Sequence, residues 1–128
     1  MTISVFELGY RYLMPSIRRS IAVELKERGL TQEEIAKRMR VSNSAVSRYL
    51  SMERGTYIDL SEFPDVREMI KELTVNILVN ELRDYELQRK ILEIALYALS
   101  RRYICAFHRS IDPNVDPERC NICPEIFK

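Results

Sequence analysis

All three cysteines and the only histidine of this 128-residue chain fall between Cys105 and Cys123. They are spaced as Cys105-x2-His108, an interval of eleven residues, then Cys120-x2-Cys123. Thiolates and imidazole are the ligands of tetrahedral sites, and this spacing is that of a Cys3His centre. In a reducing cytoplasm such a cluster favours metal over disulfides. Zinc at Cys105, His108, Cys120 and Cys123 would close the C-terminal tail onto the preceding helix and contribute folding energy directly. An iron–sulfur cluster is the alternative occupant, since Cys123-Pro124 echoes the Cys-Pro of ferredoxin-type ligand runs. The third alternative is no metal, with Cys105 in the core and Cys120 and Cys123 as a redox pair or plain loop residues. Catalytic signals are absent. There is no glycine-rich phosphate loop, and one histidine already claimed by cysteines leaves no general base. A dithiol oxidoreductase would need its C-x-x-C beside a βαβ unit, which this helical pattern lacks. The chain is not expected to be an enzyme.

The elements that carry these residues are helical. Three glycines and five prolines leave few breakers. Hydrophobic residues at 46% and charged residues at 30% indicate a globular, soluble chain of one domain or a small domain with an appendage. There is no secretory signal, and the most apolar stretch, Ile91 to Leu99, is far below the roughly 20 residues of a membrane span. The expected compartment is the cytoplasm. Met1 to Met14 shows no helix start and is expected to be an ordered extension, a short strand or a turn of helix. Pro15 suits a first helical turn. Ile17, Ile21 and Leu25 then form a stripe that stops at Gly29. Thr31 and Glu34 form a capping box for a second helix whose Ile35, Ala36 and Met39 face inward. The chain turns sharply at Met39–Val41. Ser42 caps a third helix that runs to about Leu50, with Val46 and Leu50 toward the core. A helical period follows from Val66 to about Leu82, and another from Asp84 through Phe107. Ile91 to Leu99 is apolar nearly all round and must be covered on more than one face. A partner subunit or a central place in the monomer core would each provide that cover. Asp112 to Lys128 reads as a loop.

The net charge of +1 hides an asymmetry. Pro15 to Arg54 carries nine basic and five acidic residues, whereas Gly55 to Lys128 carries ten and thirteen. The basic excess sits on the first three helices, Pro15 to Arg54, as phosphate contacts require.

The stretch TQEEIAKRMRVSNSAVSRYLSMERG is similar to the Cro/CI-type (XRE, lambda-repressor-like) helix-turn-helix family. The likeness lies in the T-Q-E-E-I-A opening of the second helix and the V-S-x-S-x-V-S-R-Y-L of the third. With the first helix it covers about 40 residues. Arg40 departs from the family's turn glycine, and a left-handed non-glycine residue costs about 1 kcal/mol. The resemblance implies an all-α fold: a lambda-repressor-like domain over residues 1–56, then two longer helices and a Cys/His-containing C-terminal loop over 57–128. It implies that Asn43, Ser44, Ser47 and Arg48 meet base edges, and each has suitable chemistry: Asn for adenine, Arg for guanine, Ser for base or phosphate. Gln32 resembles the family's phosphate-clamping glutamine. Arg18, Arg19, Lys37, Arg38 and Arg54 are candidate phosphate contacts. The appended half looks like archaeal members of the same regulator class with a cysteine-containing C-terminal region. The function expected is a homodimeric regulator that binds double-stranded DNA, metal- or redox-responsive through its tail. The competing expectation is an antitoxin-like or adaptor module that uses the same fold without specific DNA readout.

Overall fold

The computed structural model describes residues 1–80 and 82–128, and every regular element among them is helical. The first surprise is at the N-terminus. Ser4 and Glu7 form a capping box, Ser4 Oγ accepting from the Glu7 amide at 3.3 Å, and start helix α1 at Val5–Leu8. A five-residue π-turn, Gly9–Leu13, joins it to α2, Met14–Glu27. The helix therefore does not begin at Pro15 but runs through it. A proline inside a helix lacks one amide and clashes with the carbonyl four residues back. The π-turn resolves this by widening the helix just before Pro15, with the Met14 amide reaching back to Gly9.

Helix α3, Gln32–Met39, is capped by Thr31 and Glu34 as the sequence indicates. Arg40 ends it at φ 58° and ψ 42°, so the left-handed turn persists without a glycine. The Val41 amide bonds the Ala36 carbonyl at 3.1 Å, satisfying an end carbonyl of α3. Arg40 offsets its strain with a reach that glycine lacks: Nη2 donates to the Leu82 carbonyl at 3.4 Å. Helix α4, Asn43–Leu50, is capped by Ser42. Its core residues are Val46 and Tyr49, while Leu50 is only half-buried.

A short 3-10 turn at Leu60–Glu62 leads to α5, Pro64–Asn80, and then α6, Asp84–Ser100. The pattern expected to continue to Phe107 breaks at Arg102, which takes φ 64°, and restarts as α7, Cys105–Ile111. The expected terminal loop contains one more short helix, α8, Ile122–Ile126.

Helix α2 packs against α3, α4, α5 and α6. One hydrophobic cluster extends from Leu8 through Ile17, Ile35 and Ile77 to Leu87 and Cys123. Helices α3 and α4 and the C-terminal half thus share a core. In α6, Leu87, Ile91, Ile94, Ala95, Ala98 and Leu99 are buried within the chain, so the monomer itself covers most of its apolar surface.

Asp65 ties the start of α5 to the far end of α6. Its Oδ2 accepts from Tyr97 Oη at 2.5 Å and Tyr103 Oη at 2.7 Å. Tyr103 also stacks on Phe63, with ring centroids 4.4 Å apart, and Arg101 lies over the Tyr97 ring. The two phenol hydroxyls, first Tyr97 and then Tyr103, lower the Asp65 carboxyl below its ordinary 3.8. A depressed carboxyl supports the fold above its unfolded value and loses that support as pH falls below it. Wild type should therefore melt at higher temperature than Asp65→Ala at pH 7. The gap should shrink as pH is lowered from 4 toward 3 in a calorimetric series. A gap constant across that range would mean that the carboxylate contributes nothing through its charge.

Candidate nucleic-acid interface

Gln32, Asn43, Ser44, Ser47 and Arg48 line one open concavity of about 400 Å³ on the molecular surface. All five side chains are exposed. The arrangement follows from two local causes. The Arg40 turn sets α4 across the start of α3, and Ser42 starts α4 so that Asn43 and Ser44 open its first turn. Positions 43, 44, 47 and 48 then share a face by helical spacing. Gln32 Nε2 donates to the Asn43 carbonyl at 3.2 Å, which fixes the glutamine beside the α4 N-terminus. Exposed amides at such a helix end attract anions.

Glu53 completes the concavity, and sequence reasoning missed it. The chain reverses over the end of α4 through Met52 at φ 66°. The Glu53 amide then bonds the Arg48 carbonyl at 2.9 Å. This brings Glu53 to the concavity that Arg48 lines, where a carboxylate offers an acceptor of the kind that reads a cytosine amino group. The Tyr49-Leu50-Ser51-Met52 run carries no glycine, so nothing local announces this turn.

The expected phosphate contacts are dispersed. Lys37 and Arg54 are exposed, and Arg18 is half-buried. Arg19 lines a separate groove of about 420 Å³ with Gly55, Asp59 and Arg67. Its Nε is buried there with no hydrogen-bond partner among the described residues. Arg38 departs from expectation: its Nη1 donates to the Ile77 carbonyl at 3.0 Å and the Leu78 carbonyl at 3.3 Å. It is used as a clamp on the last turn of α5, where end carbonyls seek a cation. With Arg40 it couples α3 and its turn to the C-terminal helices, so its Nη1 is engaged within the fold.

Residues 21–62 match the family model described as helix-turn-helix. The chain carries a helix-turn-helix domain. The match spans α3 and α4 with the second half of α2, and it supports a DNA-binding regulator of the XRE type. No curated protein and no solved structure matches the chain. Among the described residues, no helix is long and apolar enough to cross a membrane.

The second candidate set lies at the opposite end of the sequence. Cys105 opens α7, and His108 lies one turn along it. Both line a small void with Cys123, Val5, Leu8, Leu99 and Ile104. Burial raises the Cys105 thiol and pushes Cys123 up to about 11, and the nearby Cys120 adds to both. The structure engages His108 elsewhere as well: Nε2 meets the Ile3 carbonyl at 2.7 Å. Among the described residues, no three His, Cys, Asp or Glu side chains stand together at metal-holding geometry.

Hydrogen bonds hold the C-terminal tail against the preceding helices. Arg102 Nη1 donates to the carbonyls of Pro117 at 3.2 Å and Cys120 at 2.9 Å, and Nη2 to Asn121 Oδ1. Arg109 holds the Val115 carbonyl at 3.0 Å. Asp112 Oδ2 accepts from the Thr2 and Ile3 amides at 2.7 and 2.9 Å. The hydrogen bond from the Ile3 amide, more than any other, holds the Asp112 carboxyl down at about 2. The Arg102 and Asp112 anchors escaped the sequence reading because their partners lie 15 or more positions away along the chain.

Proposed function

We propose that the chain is a sequence-specific regulator of transcription that binds double-stranded DNA as a homodimer. The observation that carries this reading is the single exposed concavity shared by Gln32, Asn43, Ser44, Ser47 and Arg48. No hydrogen bond or ion pair within the described residues occupies the Arg48 guanidinium or the Asn43 side-chain amide, and both are exposed. Polar groups arranged on one helix face and left without internal partners suit base edges.

A homodimer is favoured by the size of the reader. Helix α4 has eight residues, enough for a few base pairs, and two copies on half-sites about 34 Å apart read enough sequence for a specific site. Val75 and Val79 on α5 and Tyr85 and Leu92 on α6 keep large apolar groups in solvent. They supply surface for a second copy.

Selection of bound duplexes from a random pool tests the reading, combined with light scattering of the protein alone. A two-fold repeated motif with half-site centres 10 or 11 base pairs apart, and a particle of twice the chain mass, is the expected result. Absence of any enriched motif would favour the adaptor reading, and a monomer at micromolar concentration would remove the dimer.

A further inference from the structure

The DNA reading leaves four chemically capable side chains unused, and they share one neighbourhood. Cys105 and His108 stand one turn apart on α7 and, with Cys123, line a void of about 10 Å³. Cys120 stands three residues before Cys123 in the same tail. Arg102 holds the Cys120 carbonyl at 2.9 Å, so the loop bearing Cys120 is fixed beside α7.

The His108 ring has a defined tautomer. Its partner is the Ile3 carbonyl, which only accepts, so Nε2 carries the proton. In the neutral ring Nδ1 is then a free lone pair. A ring nitrogen donating to a backbone carbonyl while the other binds a metal is the usual outer-shell arrangement of ligating histidines.

Cys105, His108 and Cys123 line the same small void, and Cys120 lies outside its lining. Burial disfavours the thiolates when the site holds no cation, and a divalent cation reverses that by stabilising them.

We propose that Cys105, Cys120 and Cys123, with Nδ1 of His108, bind one zinc ion that locks the C-terminal tail onto α7. The side chains turn onto the ion as it binds, since no three of them stand at ligating geometry beforehand. Zinc prefers this tetrahedral sulfur and nitrogen set. Because His108 also holds Ile3, the ion would tie the tail to the N-terminal segment that leads into α2 and the reader. The proposal does not depend on DNA binding.

The test uses tag-free, full-length protein purified under reductant. Elemental analysis should find one zinc per chain, retained through gel filtration. Cobalt(II) titrated into stripped protein should give the intense visible bands of a tetrahedral thiolate site, and zinc should abolish them. Cys120→Ser changes a half-buried loop residue and should leave the helical circular dichroism intact. It should weaken cobalt binding at least about 10-fold. A chelator should lower the melting temperature of wild type but not of Cys120→Ser. Zinc-free protein whose cobalt spectrum stays that of the hydrated ion would overturn the site. Stoichiometric iron with inorganic sulfide would overturn the single-ion assignment. Unchanged cobalt affinity in a folded Cys120→Ser would remove that ligand and, with it, the four-residue set.

Discussion

Gly55→Ala should lower the melting temperature by about 10 °C or more. Gly55 sits at φ +79°, where a Cβ costs about 1 kcal/mol. The larger cost is steric. A Cβ there would lie 2.4 Å from the Pro15 carbonyl oxygen and 2.8 Å from Arg19 Cβ. Both neighbours belong to α2, which packs against four other helices and has little room to retreat. Overpacking against a rigid neighbour adds about 1–3 kcal/mol. A total near 3 kcal/mol corresponds to the stated shift in a domain of this size. Gly29→Ala is the internal control. Gly29 also has positive φ, at +96°, but nothing lies within 4 Å of its would-be Cβ. It should cost only about 1 kcal/mol. Equal melting temperatures for the two variants would show that the chain after α4 does not press on α2 as described.

The contrast between these glycines marks what the sequence discloses. Gly29 follows an apolar stripe and precedes a capping box, so its role as a helix stop is written in its neighbours. Gly55 depends on Pro15, forty positions away, and no local pattern reports that contact. The same division runs through the molecule. The caps at Thr31 and Ser42, the inward Ile35, Ala36, Met39 and Val46, and the exposed Asn43 to Arg48 face all follow from signals within a few residues, and they are found as expected. The Ser4–Glu7 box is equally local, and it corrects the expectation that Met1 to Met14 holds no helix start. The π-turn, the Arg102 break and the α5 clamp by Arg38 are products of packing. Tyr49 replaces Leu50 in the core for a similar reason: both positions follow Val46 at helical spacing, and neighbouring helices decide which is covered. Charge counting found the basic region but could not separate exposed cations from those engaged within the fold. Arg38 and Arg48 differ only in what the rest of the fold places within reach.

Arg48→Ala should leave the fold intact and weaken binding to the selected duplex by about 10- to 100-fold, the range of a lost bidentate base contact. The first half follows from its surroundings. Arg48 is exposed and lines the concavity with Ser44 and Ser47, and surface changes away from packed features usually stay within about 0.5 kcal/mol. The second half follows from its place one turn along a helix whose first residues open the same surface. Arg48→Lys divides the two ways an arginine can serve DNA. Lysine keeps the charge but lacks the planar fork that matches guanine. If Arg48 reads a base, Arg48→Lys should lose sequence preference nearly as fully as Arg48→Ala. Its salt dependence should stay close to wild type. If Arg48 only holds a phosphate, Arg48→Lys should bind like wild type. Arg48→Ala should then weaken binding to every duplex alike and reduce the salt slope by about 1. Anisotropy titrations of the three proteins on the selected site and on single-base variants, at two salt concentrations, separate these outcomes. Glu53 sharpens the expectation. A carboxylate lining the same concavity repels the DNA backbone, so Arg48 is better placed for the groove floor than for the phosphate rim.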